Sequence, residues 1–69
     1  MSVRRTYTVA GMTCDHCVQA VTRELQGLTG VRGVQIDLPT GKVTVASDEP
    51  LADAAVAAAV DEAGYEVVP

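Results

Sequence analysis

The fold of this chain is constrained most strongly by the order in which strand-type and helix-type hydrophobic patterns follow one another. Alternation of apolar and polar residues predicts strands over residues 3–9, 34–38, 43–45 and 65–68. Apolar residues spaced three and four apart predict one helix over about residues 15–27, and a second helix that ends near Gly64. The predicted order is therefore β-α-β-β-α-β.

Glycine and proline mark the ends of these segments. The turn Pro39-Thr40-Gly41 is short and has a glycine where a positive φ is needed, so strands two and three are expected to form an antiparallel hairpin. The segment Ser47-Asp48-Glu49-Pro50 resembles a helix start, with proline in the first turn of the second helix. Gly64 is expected to end that helix in a left-handed conformation.

This element order is that of the split βαβ plan, in which two crossovers flank a hairpin. We therefore predict an α+β, ferredoxin-like βαββαβ open-faced sandwich, with an antiparallel four-stranded sheet and both helices on one face. The chain has 69 residues, so residues 1–69 are expected to form a single small domain. Folds of this size often need a metal, a disulfide or a partner for added stability.

Both cysteines of the chain lie in one segment, Gly11-Met12-Thr13-Cys14-Asp15-His16-Cys17, just before the first helix. Free N–H groups and the positive end of the helix dipole favour thiolate over thiol there. Thiolates bind soft ions, whereas structural zinc requires four ligands in a tetrahedron. Neighbouring residues at a helix start point apart, so a four-ligand site that included Asp15 and His16 would be strained. We therefore predict Cu(I) at Cys14 and Cys17, with Ag(I) as a mimic.

A pair of cysteines separated by two residues is also typical of thiol-disulfide redox proteins, which makes redox exchange the alternative function. This chain is too short for the thioredoxin-like fold that usually carries such a pair. A third interpretation, in which the cysteines are inert core residues, conflicts with the polar residues around them. The sequence thus favours metal binding without substrate chemistry, and the protein is not expected to be an enzyme.

Four further residues are candidates for auxiliary roles beside the metal: Met12, Thr13, His16 and Tyr65. Met12 is either a soft third ligand or, as we favour, an apolar side chain that closes the core below the loop. His16 either binds metal or bridges two monomers, or stays solvated and buffers protons, which is the default. Tyr65 either shields the site and hydrogen-bonds to a sulfur, or is a half-buried aromatic residue at the sheet edge.

The charge pattern excludes several classes of function. The net charge is −4, the five basic residues are scattered, and Tyr7 and Tyr65 are the only aromatic residues, so nucleic-acid binding is not expected. The longest apolar run, residues 54–60, is far shorter than the roughly 20 residues that span a bilayer, so membrane insertion is not expected either. No export signal is apparent, and we expect a cytoplasmic location in which the cysteines stay reduced.

The segment from Gly11 to Cys17 resembles the signature Gly-Met-Thr/Ser-Cys-x-x-Cys of the heavy-metal-associated domain family. The resemblance extends over almost the whole chain and includes Ala63-Gly64-Tyr65 near its end. Within the family, the chain looks like the CopZ-like bacterial copper chaperones at two positions: His16 directly before the second cysteine, and Tyr65. Thr13 differs from the zinc- and cadmium-transporter branch, where Asp often precedes the first cysteine. The alternative within the family is an N-terminal metal-binding domain of a copper P-type ATPase.

The resemblance implies that Cu(I) is transferred by ligand exchange through an intermediate with three sulfur ligands. As acceptor it implies the metal-binding domain of a copper-transporting P-type ATPase or, alternatively, a copper-responsive repressor. Similar proteins dimerise around copper, so this chain is expected to be a monomer without metal and to form a copper-bridged dimer in which His16 could take part.

Overall fold

The computed structural model describes residues 2–68 and contains six elements in the predicted order. They are β1 (Val3–Ala10), α1 (Asp15–Gln26), β2 (Val31–Asp37), β3 (Lys42–Ser47), α2 (Asp53–Glu62) and β4 (Glu66–Val68). The ferredoxin-like fold predicted from the sequence is confirmed.

The four strands form one sheet in the order β2-β3-β1-β4, and every neighbouring pair is antiparallel. β1 and β2 both pair with β3 and therefore run parallel to each other, with α1 as the crossover between them. β3 and β4 both pair with β1 and therefore also run parallel to each other, with α2 as the crossover between them. This topology brings the loop after β1, the hairpin turn before β3 and the loop before β4 to one end of the sheet, which we call the metal end.

The core lies between the sheet and the two helices. Val21 and Leu25 of α1, together with Val56 and Val60 of α2, are fully buried against Val43 of β3. These helical residues belong to the apolar stripes that the spacing predicts. Burial of each such side chain contributes about 1.5–3 kcal/mol to the free energy of folding. These residues therefore hold the two helices against one face of the sheet.

The hairpin turn between β2 and β3 is joined to β1 by a close backbone contact. Gly41 has a φ of 73°, and its carbonyl accepts a hydrogen bond of 2.8 Å from the backbone N–H of Val9. A Cβ atom at Gly41 would lie 2.8 Å from the Val9 carbonyl oxygen. The predicted positive φ is present, and the absent side chain also allows the turn to approach the last residues of β1.

Two element boundaries differ from the sequence prediction. α2 begins at Asp53, with Ala52 as its N-cap, and not within residues 47–50. Ser47 is instead the buried last residue of β3, where it pairs with Val3, and its hydroxyl donates a 2.6 Å hydrogen bond to the Glu49 carbonyl. Strand pairing therefore takes precedence over the local capping signal.

The second strand also differs in its limits, because β2 starts at Val31 and ends at Asp37. Its early residues belong to the strand because Val31 pairs with Ser47 of β3, and the pairing has an irregularity between Val31 and Gly33. Gly64 has a φ of 94° and follows α2, as expected for a left-handed C-terminal cap.

Candidate metal centre

The two cysteines are positioned by the first turn of α1. Cys14 is the N-cap residue, with extended backbone angles of −155° and 174°, and its carbonyl accepts hydrogen bonds from the N–H groups of Cys17 and Val18. Its side chain makes no capping hydrogen bond, so the sulfur is not used to hold the helix. The Sγ atoms of Cys14 and Cys17 lie 3.5 Å apart.

The two thiols differ in their exposure to solvent. Both are free, but Cys14 is exposed whereas Cys17 is only 8% exposed. A metal–sulfur bond is about 2.3 Å long, so two sulfurs up to about 4.6 Å apart can bind one ion between them. The observed separation satisfies this limit, and the ion would be held by one sheltered sulfur and one accessible sulfur.

The surroundings of Cys17 favour its thiolate form. A backbone hydrogen bond from Thr13 is the largest influence, and with the side chains of Tyr65 and Cys14 it lowers the pKa of Cys17 to about 6. Burial acts in the opposite direction and is outweighed. The Thr13 Oγ1 atom also lies 3.9 Å from the Cys17 sulfur. Cys17 is therefore mostly ionised at neutral pH, as a metal ligand requires.

Tyr65 joins the loop before β4 to the cysteine loop. Its ring packs against the backbone of Gly11, where a Cβ atom would lie 3.3 Å from the ring carbon Cδ1. Gly11 has a φ of 94°, which only glycine adopts readily. The interaction with Cys17 raises the pKa of Tyr65, in agreement with the opposite effect on the thiol. Tyr65 therefore lies beside the sheltered sulfur.

The remaining candidate residues have different surroundings. Met12 is half-buried and packs against the hydrophobic core, whereas His16 is exposed at the start of α1. In residues 2–68, no group of three or more His, Cys, Asp and Glu side chains is arranged to hold a metal ion. The structure thus brings together Thr13, Cys14, Cys17 and Tyr65. Among the described residues, no His, Asp or Glu side chain joins the two cysteines as a third metal ligand.

Two features of the site were not identified from the sequence. One is the backbone N–H of Thr13, which has the largest effect on the Cys17 thiol. A main-chain donor has no residue-type signature, and only the fold of the loop could reveal it. The other is the contact between Gly11 and Tyr65, for which the glycine before Met12 was the one available signal.

Acidic side chains surround the metal end. One basic residue, Lys42 at the first position of β3, also lies at the metal end. The carboxylates at element ends on this side of the molecule are Asp15, Asp37, Asp61, Glu62 and Glu66. These five carboxylates and Lys42 together carry a charge of −4, which equals the net charge of the chain.

A sequence model of the heavy-metal-associated domain matches residues 6–66, and thus includes every residue of the site. The chain belongs to the heavy-metal-associated domain family. This heavy-metal-associated domain is 38% identical over 65 residues to the copper chaperone CopZ of Bacillus subtilis (strain 168), and the match covers 93% of this chain and 94% of that protein.

Two further comparisons describe the range of relatives. A solved structure described as CopZ metallochaperone superposes with a TM-score of 0.89 and 33% identity, covering 96% of this domain and all of that chain. Copper-transporting ATPase 1 of Rhizobium meliloti (strain 1021) is 39% identical over 61 residues, which is 88% of this chain but 7% of the ATPase. In residues 2–68 of this heavy-metal-associated domain, no helix has the length and apolar character needed to cross a membrane.

Proposed function

We propose that this protein is a cytoplasmic copper chaperone that carries Cu(I) between the thiolates of Cys14 and Cys17 and delivers it by ligand exchange. The observation that carries the proposal is a pair of free thiols 3.5 Å apart, one sheltered and one exposed. The similarity to the copper chaperone CopZ of Bacillus subtilis supports copper as the cargo. The role is binding and delivery, with no chemical change of a substrate.

The donor set favours a monovalent soft ion over Zn(II). Thiolates prefer soft ions, and zinc in structural sites takes four ligands. The site offers two sulfurs, and residues 2–68 contain no arrangement of three or more typical metal ligands. A linear two-sulfur complex needs the sulfurs about 4.6 Å apart, roughly 1 Å more than observed. Cys14 can supply this movement because its side chain is exposed and does not cap the helix.

Transfer would begin at Cys14, the accessible sulfur. A thiolate of the acceptor forms a bond to Cu(I) while Cys14 and Cys17 are still bound, which gives three sulfur ligands. Cys14 then leaves, a second acceptor thiolate takes its place, and Cys17 leaves last. Copper remains Cu(I) throughout, and each metal–sulfur bond that breaks is replaced by another. Thr13 and Tyr65 stabilise the Cys17 thiolate, which lets it act both as a ligand and as a leaving group.

We propose as acceptor the metal-binding domain of a copper-transporting P-type ATPase, and a copper-responsive repressor as a second acceptor. The similarity to the Rhizobium ATPase supports a shared fold between carrier and acceptor. The acidic side chains at the metal end would favour an acceptor with basic residues around its cysteines. The protein is proposed to be a monomer without copper and to form a copper-bridged dimer, with the exposed His16 near the shared ion.

An alternative is that the chain acts as the metal-binding domain of a copper ATPase, which the 39% identity to the Rhizobium protein supports. Thiol-disulfide exchange is the second alternative, since the same two thiols could form a disulfide. The chaperone predicts stable metal binding without turnover, whereas a redox protein would exchange disulfides with a test substrate.

The decisive experiment is an anaerobic titration of the reduced protein with Cu(I) against a chromogenic Cu(I) competitor, with Zn(II) in parallel and native mass spectrometry. We expect at least one Cu(I) per chain and far tighter binding of Cu(I) than of Zn(II). Cys14→Ser and Cys17→Ser should each fail to compete with the dye. Met12→Leu, which keeps an apolar side chain against the core, is the matched control and should bind as well as the wild type.

The mass spectrum of the loaded protein would report whether copper drives dimer formation. Preferential binding of Zn(II), or failure to outcompete the dye, would contradict the copper proposal. Catalytic disulfide exchange with a test substrate would instead favour the redox alternative.

A further inference from the structure

The open face of the sheet, which the helices do not cover, contains a depression of about 440 Å³. Its floor is made of two small residues, Gly33 of β2 and Ala46 of β3, which are paired with each other. Ala46 is also paired with Arg4 of β1 on its other side. Small residues at these positions leave space above the sheet for a compact ligand.

Hydrogen-bond donors surround this floor. Arg4 lies on one side and Arg32 on the other, two strands away, and the strands are separated by about 9.6 Å in total. Thr44 and Gln35, paired across β3 and β2, line the depression on the side towards the metal end. None of the described residues that line it carries a carboxylate, in contrast to the acidic metal end.

Arg32 forms an ion pair with Asp48. Its Nε atom donates to both carboxylate oxygens of Asp48, at 2.8 and 2.9 Å, and its Nη2 atom lies 2.8 Å from Oδ2. A guanidinium group has five N–H donors, so those on Nη1 remain for a ligand.

Arg4 supplies positive charge that Asp48 does not neutralise. In residues 2–68 the ion pairs are those of Arg5 with Asp53 and of Arg32 with Asp48, and Arg4 belongs to neither. Arg4 and Arg32 together provide a fork of planar donors around a floor without side-chain bulk. Guanidinium groups bind phosphate oxygens in this geometry more readily than lysines do.

We propose that this depression binds a phosphate group between Arg4 and Arg32, with Gln35 as a further hydrogen-bond partner. Arg4 is near the start of β1, six residues before Ala10, so the site lies about 20 Å from the metal end. The phosphate group belongs either to a small soluble anion or to a lipid headgroup. At this distance, binding leaves the cysteines free for copper and for the acceptor.

The test is a titration of the reduced, metal-free protein with inorganic phosphate at constant ionic strength, followed by the backbone amide signals in NMR spectra. We expect saturable shifts at Gly33, Thr44 and Ala46, and at least tenfold weaker binding in Arg4→Gln, since this variant loses a charge-assisted hydrogen bond to the phosphate. Arg23→Gln, at the end of α1, is the matched control and should bind as the wild type does.

A parallel experiment separates the two sources of the phosphate group. Co-sedimentation with phosphatidylglycerol vesicles, lost in Arg4→Gln but kept in Arg23→Gln, would identify a lipid headgroup. Binding of inorganic phosphate alone would identify a soluble anion. Shifts that do not saturate, or an equal loss in both variants, would show general screening of charge and would overturn the proposal. Cu(I) affinity, measured with phosphate present, should be unchanged, which separates this test from that of the chaperone function.

Discussion

Cys14 and Cys17 are three residues apart and their sulfurs are 3.5 Å apart, but they differ in solvent exposure and in the groups around their sulfurs. Cys17 is sheltered by the loop and is held as a thiolate by Thr13 and Tyr65, whereas Cys14 is exposed. The sequence predicted both residues as ligands from their spacing. It could not predict this difference, because the difference depends on which loop atoms fold back over the helix start.

The first prediction concerns the hydroxyl group of Tyr65. Tyr65→Phe keeps the ring against Gly11 but removes the hydroxyl group that helps to lower the Cys17 pKa, so this pKa should rise from about 6 by roughly one unit. It should stay below the ordinary thiol range because the Thr13 backbone hydrogen bond remains. The measurement is the rate of alkylation by iodoacetamide as a function of pH.

Tyr7→Phe is the matched control for this variant. The Tyr7 hydroxyl donates to Asp53 at 3.2 Å and is not among the groups that shift the Cys17 thiol. An alkylation profile for Tyr65→Phe that coincides with those of the wild type and Tyr7→Phe would mean that the tyrosine hydroxyl does not stabilise the thiolate.

At the scale of single elements, the hairpin turn is the part of the fold most sensitive to one substitution. Gly41→Ala would place a Cβ atom 2.8 Å from the Val9 carbonyl oxygen, in a residue with a φ of 73°. We expect a loss of about 2–4 kcal/mol in the free energy of unfolding, from the backbone strain and the contact together. Urea denaturation monitored by circular dichroism would measure it.

Gly30→Ala separates the two causes of that loss. Gly30 has a φ of 89°, but a Cβ atom added there would meet no other atom within 4 Å, so this variant tests the backbone conformation alone. Its cost should be about 1–2 kcal/mol. Equal losses in the two variants would show that the close approach of the turn to β1 contributes nothing.

The start of α2 offers a stabilising change. Its N-cap is Ala52, which has extended backbone angles of −68° and 135°, is exposed, and cannot accept a hydrogen bond through its side chain. Ala52→Ser should stabilise the protein by about 1 kcal/mol, which raises the melting temperature by roughly 4–8 °C in a domain of this size. Ala54→Ser, at the second residue of α2, is the control and should give no increase in the melting temperature.

The same helix illustrates what local sequence patterns cannot predict. The segment around Ser47 and Pro50 has the residue types of a helix start, yet Ser47 belongs to β3 because it pairs with Val3. Pairing of distant strands is decided by the whole sheet, and no window of a few residues contains that information. The stripe of Val56, Ala59 and Val60 was predictable because helical periodicity is itself a local property.

At the scale of the whole molecule, the low pKa of Cys17 links thiol ionisation to stability. The pKa is about 6 in the folded protein against an ordinary value of 9.0, so the folded state favours the thiolate. This contribution to stability is complete above pH 9 and is lost as the pH falls to 6. The free energy of unfolding of the reduced, metal-free protein should therefore rise from pH 6 to pH 9.

Cys17→Ser should remove most of this rise, since serine does not ionise in that range. Urea denaturation at several pH values, with a reducing agent present, would compare the two proteins. The same slope in both would mean that other groups cause the pH dependence.

The exposed N-cap position of Cys14 has a consequence for the speed of the proposed copper delivery. An exposed side chain changes rotamer within picoseconds to nanoseconds, whereas loops take up to microseconds and local unfolding takes longer still. In the proposed delivery, Cys14 would release Cu(I) by such a rotation, while β1, which is paired on both sides, stays in place. The time needed for one handover would then be governed by how often carrier and acceptor meet in the right orientation, and the carrier itself would impose almost no delay.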